Sequence, residues 1–367
     1  MKYYIIAGEA SGDLHASNLI KEIIKLEPNA DIRAWGGDKM QNAGANVVKH
    51  FKDLAFMGFY EVLINLRTIL KNISFCKKDI LEFSPDKIIF VDYPGFNMRI
   101  AKWSKKYKFQ TIYYIAPQLW AWNEKRIKKI KKYIDSLYVI LPFEKEFFET
   151  KHKYPVKFLG HPLLDSISNF KKNYDSSSEQ IITNKKAVIA ILPGSRKQEI
   201  KKILNTVIKI VDYFPDHQFI VAGAPNIELS YYKSILKNKR IKVIENKTYE
   251  ILSISTAAIV TSGTATLETA LFKVPQVVCY KSSYFSYFIA KLIVNIKYIS
   301  LVNLIMDQQI VKELIQQDCN KDKIRNELEK ILDLNNKKSL QIKYDELTSI
   351  LGNSGTSKRV ALDIIKK

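Results

Sequence analysis

The sequence predicts an α/β protein in which two parallel, doubly wound sheets covered by helices follow one another along the chain. In both halves, short apolar runs alternate with longer segments of helical periodicity, a pattern typical of strand–helix–strand units. A polar stretch rich in Ser, Asn and Lys interrupts the alternation at residues 168–186. The 367 residues are enough for about two domains.

Three strand–helix pairs are visible in the first half of the chain. The apolar runs are KYYIIAG, DKIIFVD and TIYYIA, and the helical segments that follow them are GDLHASNLIKEIIKL, NMRIAKWSKKY and NEKRIKKIKKYI. We therefore assign residues 1–167 to a first domain and residues 168–186 to a linker.

The alternation resumes in the second half. Its apolar runs are AVIAILPG, HQFIVAGA, IKVIEN, AAIVTSG and QVVCY. From about residue 322 the pattern is helical only, with LGNSGTSK as a break before the last helix. We assign residues 187–345 to a second domain and 346–367 to a helical tail that could pack on the first domain or on a partner subunit.

The net charge of +21 favours anionic partners, namely nucleic acid, phosphorylated substrates or an acidic membrane surface. A Lys-rich composition with solvated charges is the alternative. No helix-turn-helix, zinc-finger or RNP pattern supports nucleic-acid binding. Three Cys residues without CxxC spacing indicate a reducing compartment and no zinc site. No apolar run reaches the roughly 18–20 residues of a spanning helix, and YYIIA is too short for a signal segment.

Ligands of open α/β sheets bind beyond the carboxyl ends of the strands, so the residues after each strand are candidates. In LPGSRKQEI, Gly194 allows a tight turn, and Ser195 with Gln198 has the spacing of a capping box. Arg196 in the first helical turn would oppose the helix dipole. A bound anion would offset that cost, whereas an arginine that faces solvent is the alternative.

The segment TSGTATLE is the second candidate in this half. The strand is expected to end at Thr261, and the amides and hydroxyls of residues 262–264 could cradle a phosphate. Glu268 lies one turn later on the same helix face as Thr264, where it could accept from ribose hydroxyls or only complement the helix dipole. The dinucleotide and P-loop glycine patterns are absent, so no cofactor is predicted.

In the first half, FVDYPGFN places Asp92 at a strand end, and we expect Asn97 to cap the next helix. Asp92 is a candidate general base or an ordinary turn residue. In AGEASGDLHAS, Gly8 and Gly12 allow close backbone approach, and Ser11 or Asp13 is expected to cap the helix.

Two aromatic or basic segments remain open to interpretation. Trp120 and Trp122 of APQLWAW fit either the core or a ligand contact. The segment EKRIKKIKKYI fits either an anionic membrane surface or a solvated lysine face, and SYFSYFIAKLIV either the core or a dimer seam.

No metal site is predicted. The five His residues lack metal-ligand spacing, and His161 alone is expected at a strand end that faces the ligand. No Asp-x-Asp pair is present to share Mg²⁺ with a diphosphate, so we expect protein cations and helix ends to neutralise any bound diphosphate.

Taken together, these motifs identify a family. The segments AGEASGDLHAS, LAFMGFYEVL, DYPGFN, YYIAPQLWAW, LPFEKEFF, FLGHPLLD, LPGSRKQEI, SGTATLE and SLVNLI with VKELIQ follow one order. In this order the chain resembles the lipid-A-disaccharide synthases of Gram-negative bacteria. The resemblance implies a GT-B fold, with two Rossmann-like domains and a cleft between them.

The resemblance also implies a reaction and a location. The family transfers 2,3-diacylglucosamine from its UDP conjugate to 2,3-diacylglucosamine 1-phosphate, with inversion, giving a β-1,6-linked disaccharide. It implies a cytoplasmic protein that is attached peripherally to the inner membrane. We also expect a homodimer and no nucleic-acid partner. Another GT-B enzyme, either a transferase with a different lipid acceptor or a UDP-sugar epimerase, is the closest alternative.

Residue roles carried over from the family make Asp92 the base and Arg196 an essential arginine. The residues assigned to the nucleotide are Ser195, Arg196, Ser262, Gly263, Thr264 and Glu268. The residues assigned to the sugars are Glu9, Ser11, Gly12 and Asn303. Val302 and Ala116 stand where many members have Pro and Ser. With an ordinary pKa near ~4, Asp92 would be a weak base that accepts its proton late in the reaction.

Overall fold

The computed structural model describes residues 1–53, 66–174, 186–237, 240–283, 287–288, 294 and 296–366. The chain forms two compact units, Met1–Ser168 with Leu351–Lys367, and Asn169–Ile350. Each unit contains one parallel sheet with helices, so the predicted α/β fold with two tandem sheets is confirmed. The motif at 54–63, residues 175–185 of the predicted linker and most of the aromatic run at 283–294 lie outside the described residues.

The first sheet has seven strands in the described part of the chain. They are β1 (Lys2–Ala7), β2 (Asp31–Gly36), β3 (Asn46–His50), β4 (Lys87–Val91), β5 (Gln110–Tyr114), β6 (Ser136–Val139) and β7 (Lys157–Phe158). Their order is β3-β2-β1-β4-β5-β6-β7, with parallel pairing throughout. The strand order reverses between β1 and β4, and this switch point is where open α/β sheets bind ligands.

Helices cover both faces of this sheet. They are α1 (Ala10–Leu26), α2 (Asp38–Asn42), α3 (Leu66–Phe83), α4 (Pro94–Ser104), α5 (Leu119–Trp122), α6 (Ile127–Tyr133), α7 (Pro142–Glu146) and α8 (Leu163–Asn173). Short 3₁₀ turns lie at Phe51–Asp53, Lys105–Tyr107 and Glu124–Arg126, and a π-helical turn at Phe147–Lys151. The central strands β1 and β4 are apolar without alternation after their first residue because both faces are buried.

The second sheet has six strands among the described residues. They are β8 (Ala187–Leu192), β9 (His217–Gly223), β10 (Ile241–Glu245), β11 (Ser255–Thr261), β12 (Gln276–Tyr280) and β13 (Lys312–Ile315). Their order is β10-β9-β8-β11-β12-β13, again parallel. Here the order reverses between β8 and β11, the strands that precede the two candidate nucleotide loops.

The helices of the second unit are α9 (Lys197–Val207), α10 (Leu229–Ile235), α11 (Thr248–Ser253), α12 (Thr264–Leu271), α13 (Leu301–Met306), α14 (Lys321–Leu332) and α15 (Leu334–Leu351), with a 3₁₀ turn at Val211–Tyr213. The last helix, α16 (Thr356–Ile365), packs along α1 in the first unit. The Asp165 carboxylate accepts from the amides of Thr356 at 3.1 Å and Ser357 at 2.7 Å, which satisfies the start of α16. The helical end of the chain is therefore part of the first unit.

Candidate active site

The turn after β4 holds Asp92 in a strained backbone conformation. Asp92 and Tyr93 have φ values of 45° and 48°, in the left-handed region that is costly for residues other than glycine. The Asp92 carbonyl accepts from Asn97 Nδ2 at 2.7 Å and from the Tyr113 hydroxyl at 2.6 Å, and its N–H donates to Tyr114 O at 3.3 Å. These three bonds hold the strained turn at the switch point of the first sheet.

The expected capping role of Asn97 is wrong. Helix α4 begins at Pro94 with Tyr93 at the N-cap position, so Asn97 lies inside the first turns. Its side chain is fully buried and donates to the Asp92 carbonyl. Asn97 therefore fixes the turn that carries Asp92 and does not cap a helix.

The expectation of an ordinary pKa for Asp92 is also wrong. Burial raises the pKa of the Asp92 carboxyl above its usual 3.8, and a backbone hydrogen bond from Tyr93 opposes this only in part. A carboxylate with a raised pKa is a stronger base at any pH where it remains ionised. The Asp92 carboxylate is thus more basic than the sequence indicated.

The loop after β1 contacts the same turn. A Cβ atom added at Gly8 would lie 2.3 Å from the Tyr93 ring, so only glycine fits there. Burial raises the pKa of Tyr93, and the nearby charge of Glu9 raises it further. Gly12 is buried, and a Cβ atom there would lie 3.2 Å from Ala7 Cβ. Two of the residues assigned to the sugars, Glu9 and Gly12, are thus placed beside the Asp92 turn or the strand that leads to it.

Neither Ser11 nor Asp13 caps α1, contrary to expectation. Glu9 occupies the N-cap position, without a side-chain capping hydrogen bond, and Ser11 lies half-buried in the first turn. Asp13 is buried and accepts from the amides of Gly37 at 2.8 Å and Met40 at 3.1 Å. Asp13, which lies on α1, therefore caps the N-terminus of α2.

The Ser195 capping-box alternative is wrong as well, because α9 begins at Lys197 with Arg196 at the N-cap position. Arg196 therefore precedes the first turn instead of lying in it. Its side chain is 63% exposed, and Nη1 lies 3.1 Å from Glu199 Oε1. Glu199 already offsets the unfavourable charge of Arg196 at this helix end. The dipole cost that pointed to a bound anion is therefore compensated within the protein.

The loop after β11 matches its prediction closely, since the strand ends at Thr261 and the helix begins at Thr264. Gly263 has φ 144°, and no atom lies within 4 Å of a Cβ added there. The backbone is thus open on this side, and only glycine adopts its conformation readily. The Ser262 hydroxyl donates to Ile299 O at 2.7 Å, so it supports the loop.

Glu268 lies one turn into α12 and is half-buried. The Tyr249 hydroxyl donates to Glu268 Oε1 at 3.0 Å. Burial raises the pKa of Tyr249 and the Glu268 charge raises it further, so the hydroxyl stays protonated and remains a donor. Tyr249 fixes one carboxylate oxygen of Glu268. The contact joins Tyr249 on α11 to Glu268 on α12, so the role of Tyr249 has no signal in the local sequence.

Asn303 is fully buried, and protein groups use both ends of its amide. Its Nδ2 donates to Val311 O and to Glu313 Oε1, each at 2.9 Å. Its Oδ1 accepts from Ile310 N at 2.7 Å and from Val311 N at 2.9 Å. With four partners, this side chain is saturated. Val302, the departure from the family pattern, is buried next to it.

Glu313 extends this network towards the loop after β11. It accepts from the amides of Ile299 at 3.0 Å and Ser300 at 2.9 Å, and from the Ser300 hydroxyl at 2.8 Å. The Ile299 carbonyl in turn accepts from Ser262. Asn303 and Glu313 thus position the segment that supports residues 262–264. Glu313 lies in the segment VKELIQ, but no local pattern there predicts this role.

His161 was expected at a strand end that faces the ligand, but its side chain is buried. It is 2% exposed, its Nδ1 accepts from Leu163 N at 3.2 Å, and burial lowers its pKa to about 3. It is therefore a neutral core residue at working pH. His15, whose charge lowers the pKa of His161 further, is also buried, and burial lowers its own pKa to about 4.

The two tryptophans of APQLWAW have different environments. Trp120 packs edge-on against Phe143 and donates from Nε1 to Glu144 Oε1 at 3.0 Å. Burial raises the pKa of Glu144 to about 7, a perturbation that the sequence does not reveal. Trp122 is 43% exposed, and the Arg126 guanidinium lies 4.3 Å from its ring centroid.

Helix α6 buries Ile127 and Ile130, and its lysines are exposed. The amphipathic pattern predicted for this segment is therefore confirmed. Over the described ranges, no helix is long and apolar enough to cross a membrane. Within the same ranges, no group of three or more His, Cys, Asp or Glu side chains is placed to hold a metal ion.

Comparison with known proteins gives a consistent family. A family model described as lipid-A-disaccharide synthetase matches residues 3–362. The chain is 36% identical over 362 residues to the lipid-A-disaccharide synthase of Coxiella burnetii strain Dugway 5J108-111, covering 97% of this chain and 96% of that protein. It is 34% identical over 365 residues to the enzyme of the same name from Geobacter metallireducens, covering 97% and 94%.

Solved structures share the fold at low sequence identity. The S. aureus MnaA–UDP co-structure has a TM-score of 0.71 at 15% identity, covering 99% of this chain and 95% of that chain. The UDP-GlcNAc 2-epimerase of Methanocaldococcus jannaschii, in complex with UDP-GlcNAc and UDP, has a TM-score of 0.69 at 14% identity and full coverage of both chains. The calicheamicin glycosyltransferase CalG4 has a TM-score of 0.62 at 13% identity, covering 100% of this chain and 97% of that chain.

Proposed function

The chain belongs to the lipid-A-disaccharide synthetase family, and from this membership we infer how its residues divide the chemistry. The protein is a glycosyltransferase. It transfers 2,3-diacylglucosamine from UDP-2,3-diacylglucosamine to 2,3-diacylglucosamine 1-phosphate, which gives the β-1,6 disaccharide 1-phosphate and UDP. The family match over residues 3–362 is the observation that carries this conclusion.

Asp92 is the base of the proposal. The acceptor 6-hydroxyl oxygen forms a bond to the anomeric carbon as the bond from that carbon to the UDP oxygen breaks, and the hydroxyl proton passes to Asp92. The raised pKa of Asp92 and the hydrogen bonds that fix its turn support this role. An inverting displacement needs no covalent intermediate, so one carboxylate is sufficient.

The UDP leaving group is assigned to the two loops at the switch point of the second sheet. The exposed N-terminus of α12, opened by Gly263, supports diphosphate binding near Thr264 and Ser262. Arg196, with Ser195 beside it, supplies a cation that would exchange its Glu199 partner for a phosphate oxygen. Glu268, fixed by Tyr249, would accept from ribose hydroxyls.

The residues assigned to the sugars divide into contacts and supports. Glu9 and Ser11 lie at the start of α1, beside the Asp92 turn, and are proposed to contact sugar hydroxyls. Gly12 allows α1 to approach β1 closely. Asn303 is a positioning residue in this proposal because its amide is saturated by protein groups.

Peripheral attachment to the inner face of the cytoplasmic membrane is part of the proposal. The exposed lysines of α6 and the exposed Leu70 and Leu81 on one face of α3 support it. Vesicle flotation should show binding to anionic vesicles that falls with salt. Equal binding to neutral vesicles would contradict the electrostatic part. A homodimer stays a prediction.

The function is tested by supplying both acylated substrates and detecting the disaccharide 1-phosphate and UDP by mass spectrometry. The epimerase alternative is tested in parallel with UDP-N-acetylglucosamine alone, where we expect no 2-epimer. The Asp92→Asn variant should lose turnover by on the order of 10²–10⁴, while UDP affinity stays nearly unchanged. Retention of wild-type turnover would remove Asp92 as the base.

A further inference from the structure

We propose that Arg99 and Arg126 form a binding site for the anomeric phosphate of the acceptor, beside the Asp92 turn. The proposal rests on the transfer reaction described above. It assigns a subsite to the one acceptor group that distinguishes 2,3-diacylglucosamine 1-phosphate from its dephosphorylated form.

The two arginines lie on elements that follow neighbouring strands. Arg99 is on α4, which follows β4, and its Nη1 donates to the carbonyl of Gly95 in the first turn of that helix. Arg126 ends the 3₁₀ turn after β5 and lies over the Trp122 ring, 4.3 Å from its centroid. Strands β4 and β5 pair in parallel register, with Val91 opposite Tyr114. Both residues therefore lie on elements that follow the two strands next to the Asp92 turn.

Tyr113 links Arg126 to the proposed base. Its hydroxyl donates to the Asp92 carbonyl at 2.6 Å. Burial raises the pKa of Tyr113 and the Asp92 charge raises it further, whereas the positive charge of Arg126 opposes the increase. Both charged groups therefore act on the Tyr113 hydroxyl, which itself bonds to the Asp92 carbonyl.

Helix α4, which carries Arg99, packs against α6, and Arg126 directly precedes α6. Burial lowers the pKa of Arg126, and the like charge of Arg99 lowers it further. No described carboxylate is among the charges that act on Arg126. Two neighbouring cations of this kind are a favourable site for a dianion, and planar guanidinium groups are well suited to phosphate oxygens.

The surface at Gly95 is open to solvent. A Cβ atom added at Gly95, beneath Arg99, would meet no other atom within 4 Å. The acceptor carries its phosphate on C1, and the attacking 6-hydroxyl is carried through C6 on C5, at the other side of the ring oxygen. Phosphate binding here would orient the ring so that its 6-hydroxyl is presented to Asp92. The subsite therefore serves positioning as well as affinity.

The test compares Arg99→Gln, Arg126→Gln and the double variant with wild type, using the phosphorylated and dephosphorylated acceptors. For the phosphorylated acceptor, we expect each substitution to raise KM and lower kcat/KM by about 10–100-fold. The KM for the UDP donor should be unchanged. The dephosphorylated acceptor is used either as a substrate or as a competing inhibitor. Its KM or its inhibition constant, respectively, should change by less than about twofold.

Lys102→Gln is the matched control because it removes one exposed positive charge from the same helix as Arg99. It should match wild type with both acceptors. Thermal unfolding checks that each variant is folded, and Arg99 is exposed, so at least that variant should fold normally. Equal losses with both acceptors, or no loss with either, would overturn the proposal.

A membrane phospholipid headgroup is the other source of the same chemistry. Sedimentation with phosphatidylglycerol vesicles should show similar binding by the double variant and wild type. Lost vesicle binding with acceptor discrimination intact would overturn the acceptor assignment. Failure of the proposed function would look different, because the wild-type protein would then form no disaccharide from either acceptor.

Discussion

Asn303→Asp is a nearly isosteric change that separates a positioning role of this residue from direct ligand contact. The orientation of the amide is set by its partners, with two backbone N–H groups on one side and a carbonyl and a carboxylate on the other. The substitution keeps the two bonds accepted by Oδ1. It replaces the donor Nδ2 by an oxygen that faces Val311 O and Glu313 Oε1, each now 2.9 Å away.

The expected cost follows from these contacts. Two lost hydrogen bonds cost about 2 kcal/mol. Two carboxylate oxygens at this separation repel by about 6 kcal/mol at an effective dielectric constant of about 20. Uptake of a proton limits that repulsion, because protonating an ordinary carboxyl costs about 5 kcal/mol at pH 7.5. The protonated carboxyl can still donate to Glu313, so one lost bond of about 1 kcal/mol remains. We therefore expect the region around residue 303 to lose about 6 kcal/mol of local stability at pH 7.5.

The loss should shrink in acid. Glu313 raises the pKa of the introduced carboxyl in the folded state, so the folded state binds more protons than the unfolded state. Stability relative to wild type is then highest at low pH and falls as the pH rises through the raised pKa. At pH 5 the protonated carboxyl can donate to Glu313, which leaves a cost of about 2–3 kcal/mol.

Hydrogen exchange measures this locally. The amides of Ile299, Ser300, Ile310 and Val311 are bonded to Asn303 or Glu313. Their exchange should be roughly 10⁴-fold faster at pH 7.5 and at most about 10²-fold faster at pH 5, after correction for intrinsic rates. UDP affinity should fall at pH 7.5, because Ser262 is supported by Ile299.

Asn326→Asp provides the control, since it introduces the same charge at an exposed position of α14. It should leave the exchange of these amides unchanged. The reasoning would be refuted if Asn303→Asp exchanged like wild type at both pH values. Lost turnover with unchanged exchange would instead indicate that Asn303 contacts a ligand directly.

Three further predictions concern the loops at the strand ends. Because burial raises the pKa of Asp92, kcat/KM for the acceptor should fall with decreasing pH at a midpoint above 3.8, and a midpoint at or below that value would contradict a buried base. Gly263→Ala forces a side chain into φ 144° but meets no neighbouring atom, so it should cost about 1–2 kcal/mol in urea unfolding and weaken UDP binding measured by calorimetry. Unchanged UDP affinity would show that the loop does not hold the diphosphate. Arg196→Ala should weaken UDP binding and turnover together, and unchanged kinetics would leave Arg196 as a partner of Glu199 only.

The sequence predicted well those strands that are buried on both faces. The runs that end at Val91, Leu192 and Thr261 each contain a continuous apolar segment, so the loops after them could be located before the structure was known. Two edge strands, β3 and β13, were missed, whereas the edge strand β10 was predicted. Lys312–Ile315 carries Lys and Glu at the sheet edge, and Asn46–His50 is only half-buried, so neither shows a continuous apolar run.

Side-chain roles were predicted less well because their partners come from distant segments. Asp13 has the sequence context of a cap for its own helix, but it binds amides 24 and 27 residues further along the chain. The carboxyl of Glu144 and the hydroxyl of Tyr249 are perturbed by burial that only tertiary packing creates. No local pattern contains that information.

The two switch points share one structural device, which explains why strained or open loops remain ordered at both. In the first sheet, the fully buried Asn97 donates to the carbonyl of Asp92, a residue in the left-handed region. In the second, the fully buried Asn303 and its partner Glu313 hold the segment that supports Ser262. An amide offers donors and an acceptor without a charge to desolvate, so it can fix backbone in a dry environment at low cost. Groups fixed in this way need little reorganisation when charge develops on a substrate. Removing either amide should therefore reduce turnover even though neither side chain touches a reacting atom.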